Sequence, residues 1–115
     1  MNYKLVHVGV NCESEKKAEE TANLFSLIFN LNTKIGAKSI FAGTYFECMK
    51  APFRGTNGHI AMTATNLAEA IEELSAKGFE IDPETLTLDE NRNPKNVYLK
   101  GEIGGFAVHI LQEKS

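Results

Sequence analysis

"HIAMTATNLAEAIEELSAKG", residues 59–78, repeats in kind what "HVGVNCESEKKAEETANLF", residues 7–25, does first. Each stretch opens on a histidine within an alternating apolar pattern, the period of two expected of a pleated strand, and then changes to helical spacing. In the first, Ser14 is placed to cap a helix with apolar positions Ala18, Ala22, Phe25, Ile28 and Phe29, ending near Asn30 to Asn32. In the second, Asn66 with Glu69 forms a capping-box pattern, Leu67, Ala70, Ile71 and Leu74 make the stripe, and Gly78 stops it. An offset of 52 residues carries His7 onto His59, Ser14 onto Asn66, Ala18 onto Ala70 and Ala22 onto Leu74. Roles match better than letters do, as in an old duplication.

Working outward, short strands are expected around Lys34 to Ala37, Ser39 to Ala42 and Thr44 to Lys50, with the turn-rich "APFRGTNG" (51–58) as a hinge between halves. After the second helix, strands are expected from Glu80 to Asp82 or slightly beyond, Asn96 to Lys100, and Phe106 to Leu111, with "DENRNP" (89–94) as an exposed turn. The chain reads as α+β: two βαβββ modules, about 1–54 and 55–115, in one domain of 115 residues.

Composition narrows the partners. Hydrophobic residues at 43% and charged residues at 23% are a globular balance, and a net charge of -3 without a basic cluster argues against nucleic acid and anionic membrane. No apolar run approaches the roughly 18 residues of a membrane span, and "MNYKLVHVGV" lacks the layout of a signal peptide, so a cytoplasmic protein is expected. Cys12 and Cys48 lack a C-x-x-C pattern and read as reduced thiols at or in the core.

The three histidines fall on expected strands with the same parity. His7 opposes the valines of the first strand, His59 opposes Ile60 and Met62, and His109 opposes Phe106, Val108 and Ile110. Glu47 likewise stands opposite Phe46 and Cys48. With the apolar faces against the helices, three imidazoles and one carboxylate share the other face. That donor set suits Zn, Ni, Fe(II), Co or Mn. The plainer alternative is a polar cavity lining. By the same parity the Cys48 thiol belongs on the helix side, which argues against a nucleophile. Lys50, Arg54 and Lys100 are candidates for an anion entrance.

These residues resemble the vicinal oxygen chelate superfamily of glyoxalase-like proteins. "HVGVNCESEKKAEETANLFSLIFNL" is similar to its first strand and helix, and "YFECMKAP" to its fourth strand. "NGHIAMTATNLAEAIEELSAKGFEI" and "GEIGGFAVHILQ" are similar to its second repeat and closing strand. The resemblance implies a cupped, mostly antiparallel eight-stranded sheet with helices on its outer face. It also implies a divalent metal held by His7, Glu47, His59 and His109.

The closing strand departs from the family's usual glutamate, having "GGFAVHI" with His109 instead. Three His and one Glu leave a divalent site about one unit positive, suited to anionic or enediolate-like oxygen donors. The change also removes a base, leaving Glu47 as the catalytic carboxylate and making a two-base epimerase unexpected.

A narrower resemblance is to the glyoxalase-like domain appended to some bacterial 2-keto-3-deoxy-6-phosphogluconate and 4-hydroxy-2-oxoglutarate aldolases; the chain is too short for the barrel itself. Two functions follow. One is a small metal-dependent enzyme of lyase or isomerase type that chelates vicinal oxygens of a 2-oxo or 2-hydroxy acid and stabilises an enolate. The other is a non-catalytic ligand-binding or aldolase-associated module. Exposed strand edges add the expectation of a homodimer.

Overall fold

The computed structural model describes residues 1–114. In chain order the elements are β1 (Tyr3–Asn11), α1 (Glu15–Phe29), β2 (Thr33–Ile35), β3 (Ser39–Ala42), β4 (Phe46–Met49), β5 (Gly58–Ala64), α2 (Leu67–Ala76), β6 (Ile81–Leu88), β7 (Pro94–Leu99) and β8 (Phe106–Gln112). The strands form one eight-stranded sheet in the order β2-β3-β4-β1-β5-β8-β7-β6. It is mostly antiparallel, with parallel pairs at β1/β4 and β5/β8.

That order is the same read from either edge if the halves are exchanged, and the register keeps the exchange to the residue. Gly9 pairs with Glu47 as Ala61 pairs with His109. Across the centre, Gly9 pairs with His59 and His7 with Ala61, so an approximate two-fold axis passes at Val8 and Ile60.

Both helices start as their caps dictate. Ser14 Oγ accepts from the Lys17 amide at 3.1 Å, and Asn66 Oδ1 from the Glu69 amide at 3.2 Å, each satisfying a donor the first turn leaves free. Asn30 closes α1 in the left-handed region (φ 55°) and Gly78, at φ 90°, follows α2. Each helix covers its own cluster on the same face of the sheet. Ala18 and Ala22 pack on Cys12, Ile40, Ala42 and Cys48, while Leu67 and Ala70 pack on Ala64, Val97 and Ile110. Cys48 is thus fully buried on the helix side, and burial pushes its thiol up to about 11, which makes it a core residue and no nucleophile.

Three local features differ from the sequence reading. Ile28 and Phe29, expected on the buried stripe of α1, are 64% and 56% exposed, although Phe29 keeps a stacked contact with Phe46 of β4, centroids 6.2 Å apart. β6 extends to Leu88, although Asp82, Pro83 and Glu84 look like a turn; it is an edge strand with register shifts against β7, where proline costs no ladder bond. In β1 the alternation breaks at a bulge: Leu5 pairs with Met62 and His7 with Ala61, so one extra residue lies on β1. The bulge moves Leu5 off the face that His7 occupies. Among the described residues no helix is long and apolar enough to cross a membrane.

Candidate metal centre

On the face away from the helices, three ring and carboxylate atoms meet. His7 Nε2 lies 3.2 Å from His59 Nε2, His59 Nε2 lies 3.1 Å from Glu47 Oε1, and His7 Nε2 lies 3.3 Å from the same oxygen. The three residues come from β1, β4 and β5, three of the four central strands.

His59 reaches Glu47 by crossing β1, which lies between their strands. It crosses at Gly9, its own partner in the ladder and that of Glu47. A Cβ built on Gly9 would stand 2.0 Å from His59 Cε1, so the absent side chain is the space the imidazole occupies. The equivalent position by the two-fold relation is Ala61, which has a Cβ.

The second carboxylate oxygen is also fixed: Ser39 Oγ, itself buried, donates to Glu47 Oε2 at 2.8 Å. Bonds from His59, then His7, and the Ser39 hydroxyl hold the Glu47 carboxyl well below the usual carboxylate range, against burial, which pushes it up. Glu47 is therefore an anion with Oε1 turned to both imidazoles.

A three-edged contact of this kind cannot be completed by hydrogen bonds alone. Ionised Glu47 brings no proton, and if both Nε2 atoms donate to Oε1 their two N–H groups face one another across 3.2 Å. A divalent ion resolves it. Held at about 2.1 Å from each atom, it needs edges of about 3.0 Å in octahedral and about 3.4 Å in tetrahedral geometry. The observed edges fall between these, so the residues present fit a divalent ion as they stand.

His109 faces the same side but lies outside the triangle. Its Nε2 is hydrogen-bonded to Asn96 Oδ1, and its ring stacks on Tyr98 with centroids 4.4 Å apart. Because an amide oxygen only accepts, Nε2 carries the proton and Nδ1 is a bare acceptor, buried without a partner among the described residues. Burial first, then the neighbouring His59 and His7, lower His109 to about 4, with Glu47 opposing and Arg54 adding to the shift. At neutral pH it is an uncharged ring.

The hinge loop forms the roof. Asn11 donates from Nδ2 to the Gly55 carbonyl at 2.8 Å and accepts the Phe53 amide on Oδ1 at 3.1 Å. So held, Phe53 sets its ring edge-on to His59 and Arg54 lies 4.7 Å above the Tyr98 ring. Gly9, Asn11, Ser39, Phe53, Asn96 and Tyr98 were not singled out from the sequence. Parity with His7 marks Gly9 and Asn11 as site-facing, and that was the available signal; the others depend on cross-strand register.

No protein-family model matches the chain, and no curated protein matches it in sequence. Solved structures do match in fold. A hypothetical protein from Bacillus halodurans C-125 superposes with a TM-score of 0.63 at 16% identity, covering 100% of this chain and 97% of that one. A methylmalonyl-CoA epimerase in complex with methylmalonyl-CoA and NH4+ gives 0.62 at 10% identity, over 100% and 97% of the chains. The methylmalonyl-CoA epimerase of Mycobacterium tuberculosis gives 0.59 at 13%, over 96% and 88%. The fold is the glyoxalase-like fold. It is shared with these epimerases along almost the full length of both chains.

Proposed function

We propose that the protein is a small metal-dependent glyoxalase-like enzyme of isomerase or lyase type acting on a small anionic 2-oxo or 2-hydroxy acid. The observation that carries this reading is the triangle of His7 Nε2, Glu47 Oε1 and His59 Nε2, whose edges suit a divalent ion and cannot all three be hydrogen bonds at once. His7, Glu47 and His59 are the ligands in this reading. When bound, the ion supplies Lewis acidity that lowers the cost of charge developing on a carbonyl oxygen.

The rest falls to the chain's own groups. Two neutral imidazoles and one carboxylate leave a divalent site about one unit positive, which draws anionic oxygen donors. Glu47, ionised and bonded at both oxygens, orients the site and is a poor proton carrier. His109 is a neutral ring on the same face with its bare Nδ1 buried; serving as a base or as a fourth ligand would require it to leave Asn96 and Tyr98. Phe53 excludes water from the His59 side. Likeness to the epimerases supports the isomerase type, and the substrate here is argued from charge alone.

The test is exchange of the carbon-bound proton of 2-oxo and 2-hydroxy acids with deuterated solvent, followed by NMR on protein loaded in turn with Zn, Ni, Fe(II), Co and Mn. Exchange that requires the ion and is lost on removal of His7, Glu47 or His59 is expected. Bound ion without exchange on any acid would favour the non-catalytic module related to the aldolase-appended domain.

The homodimer belongs to the same proposal. Leu24, Leu27, Ile28 and Phe29 at the end of α1 are more than half exposed, as are Leu5 and Tyr45, and a second copy would cover them. A sedimentation mass of one chain at micromolar concentration would contradict it.

A further inference from the structure

A cavity of about 420 Å³ opens beside the metal centre, lined by Arg54, Tyr98 and Ala107 together with Asp82, Lys100 and Glu102. It adjoins the site through Ala107, the ladder partner of His59. Of its four charged groups, three are already engaged. Lys100 Nζ pairs with Glu80 at 3.2 Å, Asp82 Oδ1 accepts the Glu84 amide at 3.1 Å, and Glu102 Oε1 accepts the Thr56 hydroxyl at 2.8 Å. Lys50, the remaining cation near the hinge, pairs with Glu15 at 3.2 Å. Among the described residues, Arg54 alone of these groups has no acidic partner within ion-pair distance.

Its placement is built. The Asn11 side chain holds the backbone on both sides of Arg54, at Phe53 and Gly55. The Tyr98 ring lies beneath the guanidinium, and His109 stacks on the same ring. A planar fork braced on an aromatic face loses less freedom on meeting a carboxylate than a lysine would, and it offers two parallel donors. From these features we infer that Arg54 is a carboxylate subsite, so that the ligand is a dicarboxylic 2-oxo acid. Its oxo-acid end meets the His7, Glu47 and His59 centre, and its far carboxylate meets Arg54. This rests on the metal-centre reading above and adds to it the class of acid.

The experiment compares 2-oxoglutarate with 2-oxopentanoate, which has the same carbon chain without the far carboxylate, binding to the cobalt(II)-loaded protein by isothermal titration calorimetry. The wild type is expected to bind 2-oxoglutarate at least tenfold more tightly. Arg54→Met should abolish that preference, and Arg54→Lys should restore part of it. Arg54 is exposed, so neither variant threatens the core. Cobalt bound with equal affinity for the two acids overturns the Arg54 assignment and spares the metal centre. Cobalt that does not bind overturns the centre, and this inference with it.

Discussion

The His59 imidazole occupies the place where a side chain on Gly9 would begin: a Cβ there would lie 2.0 Å from Cε1 and 2.2 Å from Nδ1. Gly9→Ala must therefore displace the ring or bend β1. Overpacking of this sort costs about 1–3 kcal/mol. The expected result is a lower melting temperature together with a loss of zinc affinity of at least about a hundredfold, as for losing one ligand. Unchanged zinc affinity in Gly9→Ala would show that His59 does not need to cross β1.

Ser39 sets which way the carboxylate of Glu47 turns, by its 2.8 Å bond to Oε2. Groups that orient a ligand typically affect metal affinity by about 10–100-fold. Ser39→Ala should weaken zinc binding by that range and keep a one-to-one stoichiometry. Equal affinities by competition with a chromophoric chelator would mean that the bond is incidental.

Removal of His7, His59 or Glu47 singly should abolish stoichiometric metal binding, whereas His109→Ala should retain it. Added metal should raise the melting temperature of the wild type and of His109→Ala, and should leave the three ligand variants unmoved. If His109→Ala loses the ion as completely as His59→Ala, the site has four protein ligands.

Metal-free protein should lose stability on acidification in two overlapping stages. His109 is lowered from 6.5 to about 4, so below 6.5 the unfolded chain takes up a proton that the folded one refuses until about pH 4. Glu47 is also depressed, and the stability it contributes is present above the unfolded value of 4.5 and is lost as pH falls further. The urea midpoint, measured with a chelator present, should fall from pH 6.5 downward. In His109→Gln the fall between pH 6.5 and about 4.5 should be smaller. Identical profiles would show that His109 is not held neutral by burial.

Much of the fold was legible because each half has its own strand parity, cap residue and helix stripe; Ser14 and Asn66 announce both helices, and the 52-residue offset relates them. Parity also placed His7, Glu47, His59 and His109 on one face. Parity does not say which of four residues on a face will touch. That depends on Gly9 being small, on the bulge between Leu5 and His7, and on Asn96 being within reach of His109. The full length of β6 was hidden for a related reason, since Pro83 argues against a strand except at an edge, and edge position is a property of the sheet order.

The central claim is that His7, Glu47 and His59 form one metal centre. The most direct measurement is an anomalous difference map from crystals of untagged protein grown with cobalt(II). The account predicts one strong peak about 2.0–2.2 Å from His7 Nε2, His59 Nε2 and Glu47 Oε1. A map with no peak between these three atoms, at full occupancy of cobalt in solution, would contradict it.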